Sequence, residues 1–394
     1  MIALMDPAWL LVLLPLAALS GWVGARRLRG GRGEVPSKGE KPYLESLNLV
    51  INDQHDKALD VLSTALQEHD EDLEIQLALG SLFRRRGEIE RATQIHQRLL
   101  ARSAQSAEQK SQVLFELACD YFKGGLLDRA ENLFKEAGAT SRFREQSLRM
   151  LIQIYESEHE WAPAVAVVRE LSELSGEDLS HSAAQYCCEL ADRAIAEGDL
   201  DSAKECIAEA LEYRPRFARA MILKGRIQAF GGKHAKAIAS WIELSETHPH
   251  YAYEVAKLVQ TSAEVLAEPD HYVRFLRSAV KVSGDDRLRL MYVDALVLRG
   301  STEQAEDYLS DWLSQSASLV GLNHLLGLRA QDAQRAGSSE DYAFFRQVTS
   351  RLLQHRTGYE CRFCGFQGRS LHWQCPGCKH WDTTAPRVPA FHDS

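Results

Sequence analysis

Four cysteines near the C-terminus, Cys361, Cys364, Cys375 and Cys378, carry the most definite chemistry in this 394-residue chain. They form two C-x-x-C pairs separated by ten residues, and together they can give one metal ion a tetrahedral shell of thiolates. Gly365 follows the first pair and Pro376-Gly377 lie inside the second; such residues permit tight turns whose backbone N–H groups point at sulfur. Four thiolates leave no open coordination position, so the site reads as structural, with zinc as the default ion and iron as the alternative. A fold of about 35 residues cannot bury enough core to stand alone, so the metal must supply much of its stability. Phe363, Phe366, Trp373 and Trp381 are placed to wrap the site and pack it on the rest of the chain, while His372 and His380 are surplus to a full shell.

The other cysteines (Cys119, Cys187, Cys188, Cys206) lie in apolar helical patterns and read as small buried hydrophobes, which with the paired spacing favours a reducing cytosol. The chain has no G-x-S-x-G, H-E-x-x-H or phosphate-cradling loop, and His159, His234, His248 and His250 have no ligating spacing. Nothing in it calls for catalysis, and the expectation is a protein that is not an enzyme.

The elements that must position the cysteines come from an internal repeat. Ala58, Ala92, Ala130, Ala164, Ala203 and Ala237 recur at intervals of 34, 38, 34, 39 and 34 residues, and Ala305 follows twice 34 later. A degenerate copy around His271 and Phe275 fills that gap, and the two long intervals imply insertions near residues 104–109 and 176–181. Gly80, Ala118 and Gly225 sit where a first helix would cross a second at Ala92, Ala130 and Ala237, with large residues such as Leu79, Tyr121 and Phe134 filling the seams. Gly87, Gly125, Gly198 and Gly232 are placed to end first helices, and Pro215 and Pro249 to stop second ones. The frame resembles the tetratricopeptide repeat (TPR) and predicts an all-α solenoid of helical hairpins over residues 42–355. Such an array binds partners along a groove. Arg84 and Arg85 at the end of one first helix, with Lys123 in the corresponding stretch of the next, are candidates for clamping an acidic segment, weighed against a solvated helix end.

At the other end, the nineteen residues from Pro7 to Ala25 carry no charge and would span roughly 28 Å as a helix, close to a bilayer core of roughly 30 Å. Trp9 and Trp22 sit near the two ends of that stretch. The basic residues follow it, as in an uncleaved anchor with a cytoplasmic body, rather than precede it as in a signal peptide. Residues 1–25 thus read as a transmembrane anchor, 26–41 as a basic linker and 356–394 as the metal-binding domain. Residues 1–41 hold six Lys/Arg against three Asp/Glu, whereas the whole chain is at −9. An acidic body disfavours phosphate-backbone binding, and residues 358–394 are at only +1, so no nucleic-acid partner is expected.

The order of these parts, with C-x-x-C-G-F…W-x-C-P-x-C-x-x-W and the stretches at 79–92 and 120–131, resembles the lipopolysaccharide assembly protein B (LapB) family of Gram-negative bacteria over essentially the whole chain. The resemblance implies a rubredoxin-like domain with Cys361, Cys364, Cys375 and Cys378 as ligands to zinc or iron. It also implies an inner-membrane adaptor that regulates lipopolysaccharide synthesis by presenting the LpxC deacetylase to the FtsH protease and by meeting other lipopolysaccharide assembly proteins. Self-association through the anchor or the array is a further option. The spacer is shorter than in free rubredoxins, and Lys379 stands where their second knuckle has Gly. The competing expectation is an electron carrier whose iron site docks a reductase through the TPR array.

Overall fold

The computed structural model describes residues 54–68, 72–102, 106–336, 340–353 and 358–386, with Leu49 alone before them. The expected anchor (1–25) and basic linker (26–41) lie outside these residues. Among the described residues, no helix is long and apolar enough to cross a membrane.

Helix α1 (His55–Glu68) precedes eight helix pairs among the described residues. These are α2 (Leu73–Arg85) with α3 (Ile89–Leu100), α4 (Ala107–Lys123) with α5 (Leu127–Ala137), α6 (Ser141–Glu158) with α7 (Trp161–Ser175), and α8 (Ser180–Glu197) with α9 (Leu200–Tyr213). Then come α10 (Ala218–Phe230) with α11 (His234–Thr247), α12 (Ala252–Val265) with α13 (Asp270–Ser283), α14 (Asp286–Leu298) with α15 (Thr302–Gln315), and α16 (Leu319–Ala336) with α17 (Glu340–Leu353). A 3-10 turn, Pro249–Tyr251, leads into α12. The repeated alanines, from Ala58 to Ala237 and Ala305, all lie on the second helix of a pair or on α1, and each is fully buried. The degenerate copy is a complete pair, with Phe275 of α13 buried.

Two details differ from the sequence expectation. At Gly80 and Gly225 the nearest neighbour is a ring of the second helix rather than its alanine. A Cβ at Gly225 would stand 2.2 Å from Trp241 Nε1, and one at Gly80 2.3 Å from His96 Nε2. Each ring lies one turn beyond its alanine, at 241 after 237 and at 96 after 92, so the missing side chain houses a buried ring. The turns also use more than glycine. Gly87, Gly125, Gly198, Gly232 and Gly300 have positive φ, and His159 (φ 57) and Ala267 (φ 56) fill the equivalent slots in their repeats.

The chain divides into two compact units, Met1–Ile154 and Tyr155–Ser394. In the first, Leu62, Ile75, Leu79 and Leu82 pack with Ala58. The second is centred on Trp241, Val255, Val259, Phe275, Leu276 and Leu288, and it ends in a knuckle of three short antiparallel strands ordered β2-β1-β3. These are β1 (Tyr359–Cys361), β2 (Gln367–Gly368) and β3 (Thr384–Pro386), with Glu360 opposite both Gln367 and Ala385.

Candidate metal centre

The knuckle is built from two matching turns. Gly365 N–H donates to Cys361 O and Lys379 N–H to Cys375 O, both at 2.9 Å; Cys361 N–H then donates to Phe366 O and Cys375 N–H to His380 O. In each turn the residue after the second cysteine is left-handed: Gly365 at φ 74 and Lys379 at φ 61. The two loops thus hold all four sulfurs within 4.8 Å of one another, with Cys361 Sγ 3.7 Å from Cys378 Sγ and Cys364 Sγ 3.6 Å from Cys375 Sγ. A regular tetrahedron with metal–sulfur arms of about 2.3 Å has edges of about 3.8 Å. Two of the sulfur–sulfur spacings match that edge, and the four thiols are clustered closely enough to hold one tetrahedral ion.

The surroundings favour thiolate at Cys361 but not at Cys364, where the Phe366 amide, which lowers the pKa, is outweighed by desolvation and by the sulfurs of Cys378, Cys361 and Cys375, which push that thiol up to about 12. The Thr383 hydroxyl lies 3.3 Å from Cys361 Sγ, and with the amides of Cys364 and Phe363 it brings the Cys361 thiol down to about 6. Cys361 and Cys375 are buried, whereas Cys364 is exposed and gives one edge of the shell to solvent. The left-handed turn at Lys379 is the costly one for a side chain. Lys379→Gly is expected to stabilise the knuckle by about 1 kcal/mol, read as slower loss of metal to a chelator, and Gly365→Ala should speed that loss.

The knuckle lies against the first helices of the second unit, through polar and aromatic side chains. Trp381 Nε1 donates to Glu156 Oε1 at 3.1 Å, and its ring meets Trp161 and Tyr186 edge-on at 6.0 and 6.1 Å between centroids. Asp382 accepts from Gln185 Nε2 at 2.9 Å and pairs with His181 at 3.2 Å. Trp373 packs on Tyr251 and beneath the guanidinium of Arg219, which is itself held by Glu189 and Asp192 at 2.9 and 3.0 Å. Tyr359 bridges Glu254 and Arg287, and Arg287 lies 3.8 Å over the Tyr253 ring. Gln185, Arg219, Tyr253 and Arg287 are successive steps of 34 residues along α8, α10, α12 and α14. Sequence reading passed over this ladder, and its constant 34-residue step was the available signal.

Not every aromatic expected to pack the knuckle does so. Phe363 is 66% exposed and stacks on His380 with centroids 4.0 Å apart, while Phe366 meets His372, so the docking falls to Trp373, Trp381 and Tyr359. The expected basic clamp also changes. Arg84 is drawn inward to Glu116 at 2.6 Å and Asp120 at 2.7 Å, and Asp120 in turn holds the buried His96 at 2.5 Å. Arg85 and Lys123 are exposed.

Beside the docked knuckle, burial lowers the pKa of His248, as does Arg216, and burial lowers that of His250, as do His248 and Arg362. Folded, both bind protons less readily than in the unfolded chain. Their stabilising contribution is full above the unfolded value of about 6.5 and fades as pH falls below it. Thermal unfolding of the metal-loaded protein from about pH 7.5 to about pH 5.5 should show this loss, and His248→Gln with His250→Gln should flatten it.

Comparisons with known proteins agree with this architecture. Residues 359–386 match the family described as rubredoxin metal binding domain, and residues 43–107 and 188–250 match the tetratricopeptide repeat. Lipopolysaccharide assembly protein B of Escherichia coli (strain K12) is 30% identical over 378 residues, covering 96% of this chain and 97% of that protein. The protein of the same name from Haemophilus influenzae is 27% identical over 386 residues, again covering 96% and 97%. With its repeats, its four-sulfur knuckle and this full-length similarity, the chain belongs to the lipopolysaccharide assembly protein B family.

Proposed function

We propose that the protein is a non-catalytic adaptor, tethered to the inner membrane by residues 1–25, that regulates lipopolysaccharide biosynthesis by presenting the LpxC deacetylase to the FtsH protease. The observation that carries this reading is the join between its two binding modules: a closed four-thiol knuckle set against a ladder of side chains on four successive repeats. That arrangement offers recognition surface and leaves no coordination position for a substrate. Arg85 and Lys123 are the exposed cations offered to an acidic client segment, with Arg84 fixing the helix behind them.

The reading is tested by following LpxC turnover in cells. Deleting residues 1–25 should slow turnover several-fold, and Arg85→Glu with Lys123→Glu should weaken client capture by about tenfold, the scale of one to two lost charge contacts. Unchanged LpxC half-life after removal of the anchor would sink the tethering part of the account. A purified protein free of visible iron–sulfur absorbance would speak against electron transfer.

A further inference from the structure

The knuckle holds the solenoid the way a separate segment would. Its contacts are discrete side chains on first helices, three of them in the 34-residue frame: Asp382 on Gln185, Trp373 under Arg219 and Tyr359 on Arg287, with Trp381 on Glu156 of α6 outside that frame. The surface beneath is built to survive uncovering, because its cations are already neutralised within the solenoid. Arg219 is paired with Glu189 and Asp192, and Arg287 with Asp285. The knuckle, by contrast, has strands of three, two and three residues, and two of its few buried residues are the thiols Cys361 and Cys375. Its fold stands or falls with the ion, and the exposed Cys364 edge lets a competing metal acceptor reach the shell.

We propose that the ladder Gln185–Arg219–Tyr253–Arg287 is an exchangeable binding surface for a partner segment carrying an aromatic ring next to a carboxylate, closed by the metal-loaded knuckle and opened when the metal leaves. The chemistry of that segment is set by the present occupant, Trp381-Asp382, whose ring enters the Trp161–Tyr186 pocket and whose carboxylate meets Gln185 and His181. A tethered plug competes at an effective concentration near the millimolar range, so a partner in trans binds only when the plug is released. This rests on the metal reading of the four thiols, and bound metal is measured separately from segment binding.

The experiment uses the full-length chain, metal-loaded and chelator-stripped, with metal content measured on both. Amide exchange follows residues 359–386 and the first turns of α8, α10, α12 and α14. The binding probe is a fluorescent peptide of residues 373–386 with serines at 375 and 378. Stripping should raise exchange in the knuckle and in those first turns, leave helicity intact, and tighten peptide binding by at least about tenfold. Arg219→Ala should abolish the gain. A knuckle that stays protected without metal, equal peptide binding by both forms, or loss of the helices together with the knuckle would each overturn the proposal. A preparation that binds no metal at all would instead remove the metal reading beneath it.

Discussion

A Cys361→Ser, Cys364→Ser variant is expected to hold no metal and to lose the fold of residues 359–386, with the solenoid helices remaining. Two of four ligands cannot complete a tetrahedral shell, and binding energy on the order of 10–16 kcal/mol for such a site disappears with it. Little else holds the knuckle. Its strand pairing covers only a few residues, and its own ring contacts are limited to Phe363 on His380 and Phe366 on His372, while Trp373 and Trp381 face the repeats. Metal analysis and limited proteolysis after residue 353 read the outcome directly. A variant that kept a protease-resistant knuckle would show that docking on Arg219 and Arg287 folds it without the ion.

The second large effect is expected from Gly225→Ala. The new Cβ would lie 2.2 Å from Trp241 Nε1 and 2.5 Å from Cε2, and Trp241 is fully buried with its Nε1 donating to Ile222 O at 3.2 Å. The fully buried ring cannot retreat from α10 without leaving its hydrogen bond to Ile222 and pressing on the core behind it, so overpacking should cost about 3 kcal/mol, the upper part of the usual range. Denaturant unfolding should show the loss, and Trp241→Leu should restore part of it in the double variant, with a coupling of about 1–3 kcal/mol. A fully tolerated alanine would mean that α10 and α11 slide apart more freely than the close packing implies.

Much of this architecture was legible in the residues because it depends on local or periodic rules. The C-x-x-C spacing anticipated the cluster of sulfurs, since two equal turns need only their own residues and a left-handed exit at Gly365 and Lys379. The recurrent alanine anticipated the helix pairs, because a fully buried small side chain at each second helix repeats with the hairpin. What was not legible is long-range. Gln185 meets Asp382 across 197 positions and Trp381 meets Glu156 across 225, and no local pattern tells a solvated glutamine from one that holds a distant domain. Arg84 escaped for the same reason, since its partners Glu116 and Asp120 come from the next repeat and turn an expected surface cation into an internal one. The role of Gly80 and Gly225 was misplaced by one helical turn, because spacing shows that room is made but not which side chain fills it.

In the function proposed above, one chain brings client and protease together at a membrane. In-cell crosslinking with the anchor intact, followed by pull-down of this protein, tests it most directly. LpxC and FtsH should be captured together, and LpxC should be lost from the complex when Cys361 and Cys364 are replaced by serine. Capture of neither protein, or of a reductase in their place, would contradict it.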